Sequence, residues 1–311
     1  MDFLYFLEDL RTPVLDTFFS IITHFGEETL FIVLGILFFW CLDKKQGYYL
    51  LSIGLLGTIL NQFLKLLFRI PRPWVKDPEF TIVESARAEA TGYSFPSGHT
   101  QASVGIFGGI ARANRDRWLR ILCITLCILV PLSRMYLGVH TPADVVVSII
   151  VALILIFGFY PILHRAFTAG EAGKTTMRLF MGGTVALAIG FLLFVHLYPF
   201  PADIDPHNFD SGMKNAYKML GCLLGLWLAY EVDMGYTHFD TKAVWWVQIA
   251  KLVLGLLPVI AIKSGLKEPL YALISNTYVA DGIRYFLLTA FAGAVWPLTF
   301  KWWGKIGTKA K

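Results

Sequence analysis

The sequence predicts an all-α, polytopic membrane protein, a bundle of helices most of which cross a bilayer. Two observations support this fold class. The 311 residues are 56% hydrophobic and 16% charged, and their mean hydropathy is +0.60, whereas soluble domains carry about 25% charged residues. The apolar residues are also grouped into long runs, many close to the roughly 20 residues that a helix needs to cross a bilayer.

The predicted spans fill most of the chain. In order, they are residues 28–43, 47–68, 98–113, 118–135, 142–163, 178–197, 214–232, 244–262 and 283–303. Residues 2–24 carry too many charges to cross and are predicted to form interfacial or re-entrant helices. The 98–113 segment is only weakly apolar, so we expect helices rather than lipid around it. The basic, glycine-containing stretch 164–177 predicts a boundary between a first region, 1–165, and an additional transmembrane region, 166–311.

Loop charges predict the orientation of these spans. Basic residues gather in one set of loops, for example at Lys44-Lys45, between Arg112 and Arg120, and between Arg165 and Arg178. The positive-inside rule assigns such loops to the cytoplasm. The opposite loops, which include 69–97 and 134–141, are then extracytoplasmic. The net charge of +5 is modest and forms no basic stripe, so nucleic acid is not an expected partner.

Three short polar clusters fall on the predicted extracytoplasmic side. In chain order they are Lys65-x6-Arg72-Pro73, Pro96-Ser97-Gly98-His99 and Ser133-Arg134-x5-His140-x3-Asp144. Lys65, Arg72 and Arg134 are cations at a membrane boundary, where a charge is costly without a polar partner. The planar fork of arginine suits phosphate oxygens, and lysine acts as a point charge. Together these cations predict a site for a phosphoryl group.

The second and third clusters add a helix start and two histidines. Ser97-Gly98 precedes a predicted helix whose free N–H groups would face the same anion. Thr141-Pro142 is typical of an N-cap and first helical residue, which places Asp144 in the first turn, four positions after His140. A carboxylate there could orient the His140 imidazole and make it a better nucleophile. His99 could then give a proton to the leaving oxygen.

The three motifs, in this order, resemble the pattern of the type-2 phosphatidate phosphatase superfamily, which includes membrane lipid phosphatases and glucose-6-phosphatases. The resemblance covers residues 25–165 and says little about 166–311. It implies a six-helix core whose first member would be the short segment 15–25, and it implies no metal or other cofactor. It also implies that His140 becomes phosphorylated, that Asp144 orients it, and that His99 is the general acid. The implied phosphate-binding residues are Lys65, Arg72, Ser97, Gly98 and Arg134.

The motifs and the topology predict a metal-independent phosphatase that acts on a lipid phosphate or diphosphate at the outer face of a membrane. Undecaprenyl diphosphate in a bacterial plasma (inner) membrane is slightly favoured, and phosphatidylglycerophosphate, phosphatidate or a sphingoid phosphate would fit the same location. Three alternatives stay open: a lipid phosphotransferase, a phosphatase for a small soluble phosphate such as a sugar phosphate, and a lipid carrier or scramblase. The expected partners are the lipid substrate and membrane lipids, and the sequence predicts no oligomeric state.

Overall fold

The computed structural model describes residues 1–88 and 90–306, which are 81% helical and contain no β-strand. This confirms the predicted all-α class. The α-helices are α1 Asp2–Asp9, α2 Pro13–Thr23, α3 Glu28–Leu37, α4 Lys44–Phe68, α5 Pro73–Lys76, α6 Gly98–Ser103, α7 Gly109–Ala113, α8 Arg117–Tyr136, α9 Pro142–Thr168, α10 Gly170–Leu197, α11 Pro206–Val232, α12 Trp245–Gly265, α13 Lys267–Leu273, α14 Thr277–Ala290 and α15 Phe300–Trp303. Turns of π-helix extend several of them, at Phe38–Leu42, Val104–Gly108, Asp233–Thr237 and Phe291–Val295.

Six helical segments in the described part of the chain are long and apolar enough to cross a membrane. The pair Pro13–Gly26 and Glu28–Leu42, bent by 50°, would make a seventh span if it is one broken helix. The chain is therefore a polytopic helical membrane protein, as predicted. Three predicted spans fall short of the same criterion as single helices: segments 28–43 and 98–113 are shorter than 18 residues, and α11 is not apolar enough.

Helices continue past the apolar runs that were used to predict the spans. α9 ends at Thr168 and α10 begins at Gly170, so most of the stretch 164–177 is helical instead of forming a linker. Residue 178, the predicted start of this span, was therefore wrong as the start of the helix, which begins at Gly170. A helix satisfies its own backbone wherever it lies, so charged residues at the membrane surface end the apolar run without ending the helix. The division of the chain at residue 165 stays a prediction.

The chain forms two compact units. The first contains Met1–Leu34, Tyr49–Pro161 and Ile204–Phe209, and the second contains Gly35–Tyr48, Ile162–Asp203 and the chain from Asp210 onward. All three motif clusters belong to the first unit. In that unit the 98–113 segment is buried, as predicted: Thr100 and Ser103 are 0% exposed and Ile106 is 1% exposed.

The N-terminal helices of the first unit pack against α8. The Tyr136 hydroxyl donates to Asp16 at 2.7 Å, and the Tyr136 and Phe19 rings have centroids 4.3 Å apart. The N-terminal segment is thus part of the packed unit that carries the motifs. Its predicted interfacial or re-entrant position stays a prediction.

The second unit contains buried charge pairs and brings two helices into close contact. Lys44 donates to the fully buried Asp233 at 2.9 Å, and Arg284 pairs with Asp281. A Cβ added at Gly221 would lie 2.1 Å from the Gly282 carbonyl oxygen. Only glycine at position 221 therefore allows α11 to approach α14 this closely.

Candidate active site

The motif clusters, although distant in sequence, converge on one cavity of about 340 Å³ in the first unit. Six of the predicted site residues line it: Lys65, Arg72, Gly98, His99, Arg134 and His140. The other two, Ser97 and Asp144, lie behind this lining and are 0% and 1% exposed. The structure therefore brings all eight predicted residues to one place.

A rigid turn between α8 and α9 positions His140. Leu137 and Val139 are fully buried, which anchors the turn in an apolar cluster. Gly138 between them has φ +81°, and a Cβ there would lie 2.8 Å from Arg11 Nη2 and 3.1 Å from the Thr81 carbonyl oxygen. Glycine is required for both reasons. The turn leaves His140 lining the cavity while remaining only 2% exposed.

The carboxylate of Asp144 lies behind His140 and is itself held in place. Its Oδ2 accepts from the Thr141 backbone N–H at 2.8 Å and from Ser94 Oγ at 2.5 Å, and it lies 3.4 Å from His140 Nδ1. The Asp144 N–H donates in return to Thr141 Oγ1 at 3.3 Å. This reciprocal cap fits the predicted start of α9 at Pro142. Because Nδ1 faces the carboxylate, Nε2 is the imidazole nitrogen left for other partners.

Arg72 provides the partner of that second nitrogen. Its Nη1 lies 2.9 Å from His140 Nε2 and donates to the Val139 carbonyl at 2.8 Å. Its Nε and Nη2 donate to the carbonyls of Gly92 at 3.0 Å and Thr91 at 2.7 Å. Backbone acceptors thus fix the guanidinium plane beside the imidazole.

The same backbone segment holds Lys65, whose Nζ donates to the Tyr93 carbonyl. Arg134, fully buried, donates through Nη1 to Thr23 Oγ1 at 2.7 Å. All three predicted cations are therefore held beside one cavity by hydrogen bonds to neutral groups. Such bonds orient a cation without neutralising it.

His99 and Ser97 occupy the start of α6. His99 lines the cavity, and its buried Nε2 has no hydrogen-bond partner among the described residues. A nitrogen in that position can exchange a proton with a bound molecule. Ser97 Oγ accepts from the Thr100 N–H at 3.3 Å, and the Ser97 N–H donates to the Asp144 carbonyl at 3.2 Å. Ser97 thus caps α6 and links it to α9.

Positive charge is concentrated around His140. Lys65, Arg72 and Arg134 are three cations with Asp144 among them, and Glu27 and Glu28 also line the cavity. Burial lowers the pKa of His140 well below its usual range, and the nearby Arg72, Arg134 and Lys65 lower it further. Nε2 of a neutral imidazole keeps its lone pair. The site can therefore hold an anion next to an unprotonated nucleophile.

Several groups in the site were not predicted from the sequence. The carbonyls of Thr91, Gly92 and Tyr93 leave no residue-type signal, because every residue has one. Thr23 and Ser94 lie far in sequence from the residues that they orient. A signal did exist for the cavity residues Thr58, Asn61 and Gln62. They are polar residues in an apolar span, within two helical turns of Lys65 on its own face.

No group of three or more His, Cys, Asp and Glu residues within 1–88 and 90–306 could hold a metal ion. The metal independence implied by the resemblance stays a prediction.

Two family models match the chain. The PAP2 superfamily model matches residues 46–168, which contain all eight predicted site residues, and a second model, PAP2 superfamily phosphatase, transmembrane extension, matches residues 217–308. No solved structure matches the chain with significance.

Among curated proteins, the chain is similar to undecaprenyl-diphosphatase BcrC of Bacillus subtilis, with 31% identity over 154 residues, which are 48% of this chain and 76% of that protein. It is similar to phosphatidylglycerophosphatase B of the same organism, with 26% identity over 163 residues, 48% of this chain and 75% of the relative. Sphingosine-1-phosphate phosphatase 1 of Rattus norvegicus is 29% identical over 173 residues, which cover 54% of this chain and only 39% of that protein. With both models and the first of these relatives in agreement, the chain is a membrane-embedded member of the PAP2 superfamily of phosphatases.

Proposed function

We propose that this protein is a lipid phosphatase that works through a phosphohistidine on His140, at the extracytoplasmic face of its membrane. The observation that supports the proposal is the set of groups that surround the imidazole ring of His140. His140 Nε2 lies 2.9 Å from a cation, its Nδ1 faces a carboxylate, and two further cations line the same buried cavity.

Substrate binding would bring the phosphoryl group to the three cations around His140. The phosphate oxygens of the substrate would accept from Arg72, Arg134 and Lys65, and these charge-assisted bonds are stronger than neutral ones. Arg72 Nη1, now beside Nε2, would turn to a phosphate oxygen and bring the phosphorus to the imidazole. Burial of all three cations strengthens their attraction for the anion.

In the first half-reaction, Nε2 of neutral His140 attacks phosphorus and the bond to the leaving oxygen breaks. His99 donates a proton to that oxygen, so the alcohol or phosphate leaves protonated. His99 must first take up this proton from water, which the bound anion would favour by offsetting the burial and the cations that lower the pKa of His99. Asp144 stabilises the positive charge that develops on the His140 ring, and the three cations stabilise the charge on the phosphoryl oxygens. In the second half-reaction, His99 accepts a proton from water as the water attacks phosphorus. Inorganic phosphate leaves, and His140 returns to its neutral form.

The lipid substrate and the outer location are supported by the loop charges and the relatives. The basic loops are those predicted to face the cytoplasm, and the motif loops are on the other side. Enzymes similar to this chain are named for undecaprenyl diphosphate, phosphatidylglycerophosphate and sphingosine 1-phosphate. A substrate at the lipid headgroup level is common to all three names.

Phosphate release by the purified full-length protein in detergent tests the proposal. The panel is undecaprenyl diphosphate, phosphatidylglycerophosphate, phosphatidate and glucose 6-phosphate, each with EDTA, and His140→Ala is measured in parallel. We expect EDTA-resistant release from at least one lipid and none from the variant. Release from glucose 6-phosphate alone, or release that EDTA abolishes, would contradict the proposal.

The location has its own test. A single reporter residue in the loop 198–205, between α10 and α11, should be labelled by a membrane-impermeant reagent in intact cells. Labelling only after permeabilisation would place the motif loops in the cytoplasm and contradict the outer-face proposal.

A further inference from the structure

We infer that the cavity beyond the phosphate site binds a polar leaving group, so that the preferred substrate is a phosphomonoester whose alcohol carries an ammonium or hydroxyl group close to the ester oxygen. This inference rests on the proposed function and narrows its substrate class. It concerns side chains that the reaction itself does not use.

The cavity follows one face of α4 away from the phosphate-binding end. Its lining on that helix is Ile53, Gly54, Gly57, Thr58, Asn61, Gln62 and Lys65, which is the spacing of a single helical face. At 1.5 Å per residue, Gly54 lies about 16 Å along the helix from Lys65. The part nearest the cations is lined by hydroxyl and amide groups, and the far part by Phe31, Ile53 and Gly54. A substrate lying here would be polar next to its phosphate and apolar beyond.

Gln101 has a polar group in the cavity lining that lacks a hydrogen-bond partner among the described residues. Its side chain lines the cavity and is 5% exposed, yet its amide nitrogen has no hydrogen-bond partner among the described residues. The amide lies against α4, where a Cβ added at Gly57 would be 2.9 Å from that nitrogen. A buried polar group without a partner is costly. A hydrogen-bonding group on the substrate would satisfy it.

Asn61 lies on α4, across from Gln101 of α6, and is buried in the same lining. It is 4% exposed, and its Nδ2 donates to the Pro96 carbonyl at 3.3 Å. That bond directs the amide nitrogen to the backbone and leaves the amide oxygen as an acceptor. Acceptor and donor groups thus face the cavity from two helices. This combination suits hydroxyl and ammonium groups.

Charge in the lining argues against a second phosphate. The cations of the described lining, Lys65, Arg72 and Arg134, are the three assigned to the first phosphate, and no other Lys or Arg is among these residues. The start of α3 instead contributes two carboxylates, Glu27 and Glu28. Glu27 is contacted by His24 and its side chain is 34% exposed. A second phosphate would lie among neutral amides and carboxylates, whereas an ammonium group would be attracted to them.

Four probes of this protein's activity in detergent test the inference. Sphinganine 1-phosphate and octadecyl phosphate share a long chain and differ in an amine and a hydroxyl beside the ester. Farnesyl phosphate and farnesyl diphosphate differ in one phosphate. We expect kcat/KM at least about tenfold higher for sphinganine 1-phosphate than for octadecyl phosphate, which corresponds to one hydrogen bond to a charged group. We also expect kcat/KM to be higher for farnesyl phosphate than for farnesyl diphosphate.

Two variants assign the preference to the cavity. Gln101→Met keeps the side-chain volume without its hydrogen bonds, and Glu27→Gln removes one carboxylate. Each variant should lower the ratio of kcat/KM for sphinganine 1-phosphate to kcat/KM for octadecyl phosphate at least threefold, mainly through a change in KM. Glu79→Gln, an exposed glutamate outside the lining, is the matched control and should keep the wild-type ratio.

The outcomes separate this inference from the proposed function. The inference would be overturned by equal kcat/KM for sphinganine 1-phosphate and octadecyl phosphate, by a preference for farnesyl diphosphate over farnesyl phosphate, or by an unchanged sphinganine-to-octadecyl ratio in both variants. In each of these cases, turnover would still uphold the proposed phosphatase. If none of the four probes is turned over, the lipid panel described under the proposed function still decides whether the protein is a lipid phosphatase. In that case thermal stabilisation of the protein by the same four probes still ranks them. A ranking that does not favour sphinganine 1-phosphate would then overturn the inference.

Discussion

Both units of the molecule bury charged side chains, but only in the first do several buried cations line the cavity described above. In the first unit, Lys65, Arg72 and Arg134 line a cavity together, and the hydrogen bonds described for them go to carbonyl, hydroxyl and imidazole groups. In the second unit, Asp233 pairs with Lys44 at 2.9 Å and Asp281 pairs with Arg284. These two pairs are locally neutral, whereas the buried Lys251 of the same unit donates to the Thr241 carbonyl at 3.1 Å.

This difference teaches how to interpret a buried charge in a membrane protein. A buried pair offsets its own desolvation and can serve structure alone. Several like charges kept around a cavity destabilise one another until an anion binds. Buried charge therefore indicates function where several cations line one cavity, and it indicates structure where a local partner neutralises it.

The largest expected effect that tests this comparison is on His140. His140→Ala should lower kcat by at least about 10⁴-fold, because it removes the nucleophile. The melting temperature should fall little. Phosphate release and thermal unfolding of the same preparation measure both quantities. Activity within tenfold of wild type would contradict the proposed mechanism.

The next largest effect concerns Arg72. Arg72→Lys keeps the charge but loses the planar fork that contacts the Thr91, Gly92 and Val139 carbonyls. We expect kcat/KM to fall by about 10²-fold. Arg87→Lys, at an exposed arginine that pairs with Glu84, should stay within twofold of wild type. Equal effects of the two substitutions would show that geometry at position 72 is unimportant.

A substitution in the second unit should have the opposite pattern. Asp233→Asn removes the partner of Lys44 in a buried pair and should lower the free energy of unfolding by about 3 kcal/mol, with kcat per folded molecule unchanged. Asp240→Asn breaks an exposed pair with Lys242 and should cost less than about 1 kcal/mol. Denaturant unfolding in detergent measures both. If Asp233→Asn lost more kcat than its loss of folded protein explains, the contrast between the two units would be contradicted.

The smallest effect is on pH dependence. Burial and three neighbouring cations lower the pKa of His140, so the neutral nucleophile persists as pH falls through the usual imidazole value of about 6.5. The acid limb of kcat/KM, corrected for titration of the substrate, should therefore have its midpoint below 6.5. Arg134→Gln removes one cation and should move the midpoint to higher pH. A midpoint at or above 6.5 in the wild type would contradict this electrostatic account.

Much of the fold and of the site could be predicted from the sequence, for different physical reasons. Hydropathy predicts spans because lipid requires apolar side chains, but it misplaces helix ends, as at α10, because helices continue into water. The motifs predict the charged residues because few other reasons place Lys65, Arg72 and Arg134 at a membrane boundary.

Tertiary partners of those residues could not be predicted. The carbonyls that fix Arg72 and Lys65 carry no side-chain signal. Thr23 orients Arg134 across 111 positions, and Ser94 reaches Asp144 across 50. The polar lining at Asn61 and Gln101 becomes visible only when α4 and α6 lie side by side. Composition within each segment does not contain that information.

The central claim is that His140 carries the phosphoryl group, and rapid quenching tests it most directly. The full-length protein would be mixed with a lipid phosphate labelled in its phosphoryl group, quenched in base and digested. The account predicts label on the peptide that contains His140, stable in base and lost in acid, and absent from the His140→Ala variant. Turnover with no labelled protein, or label on another residue, would contradict it.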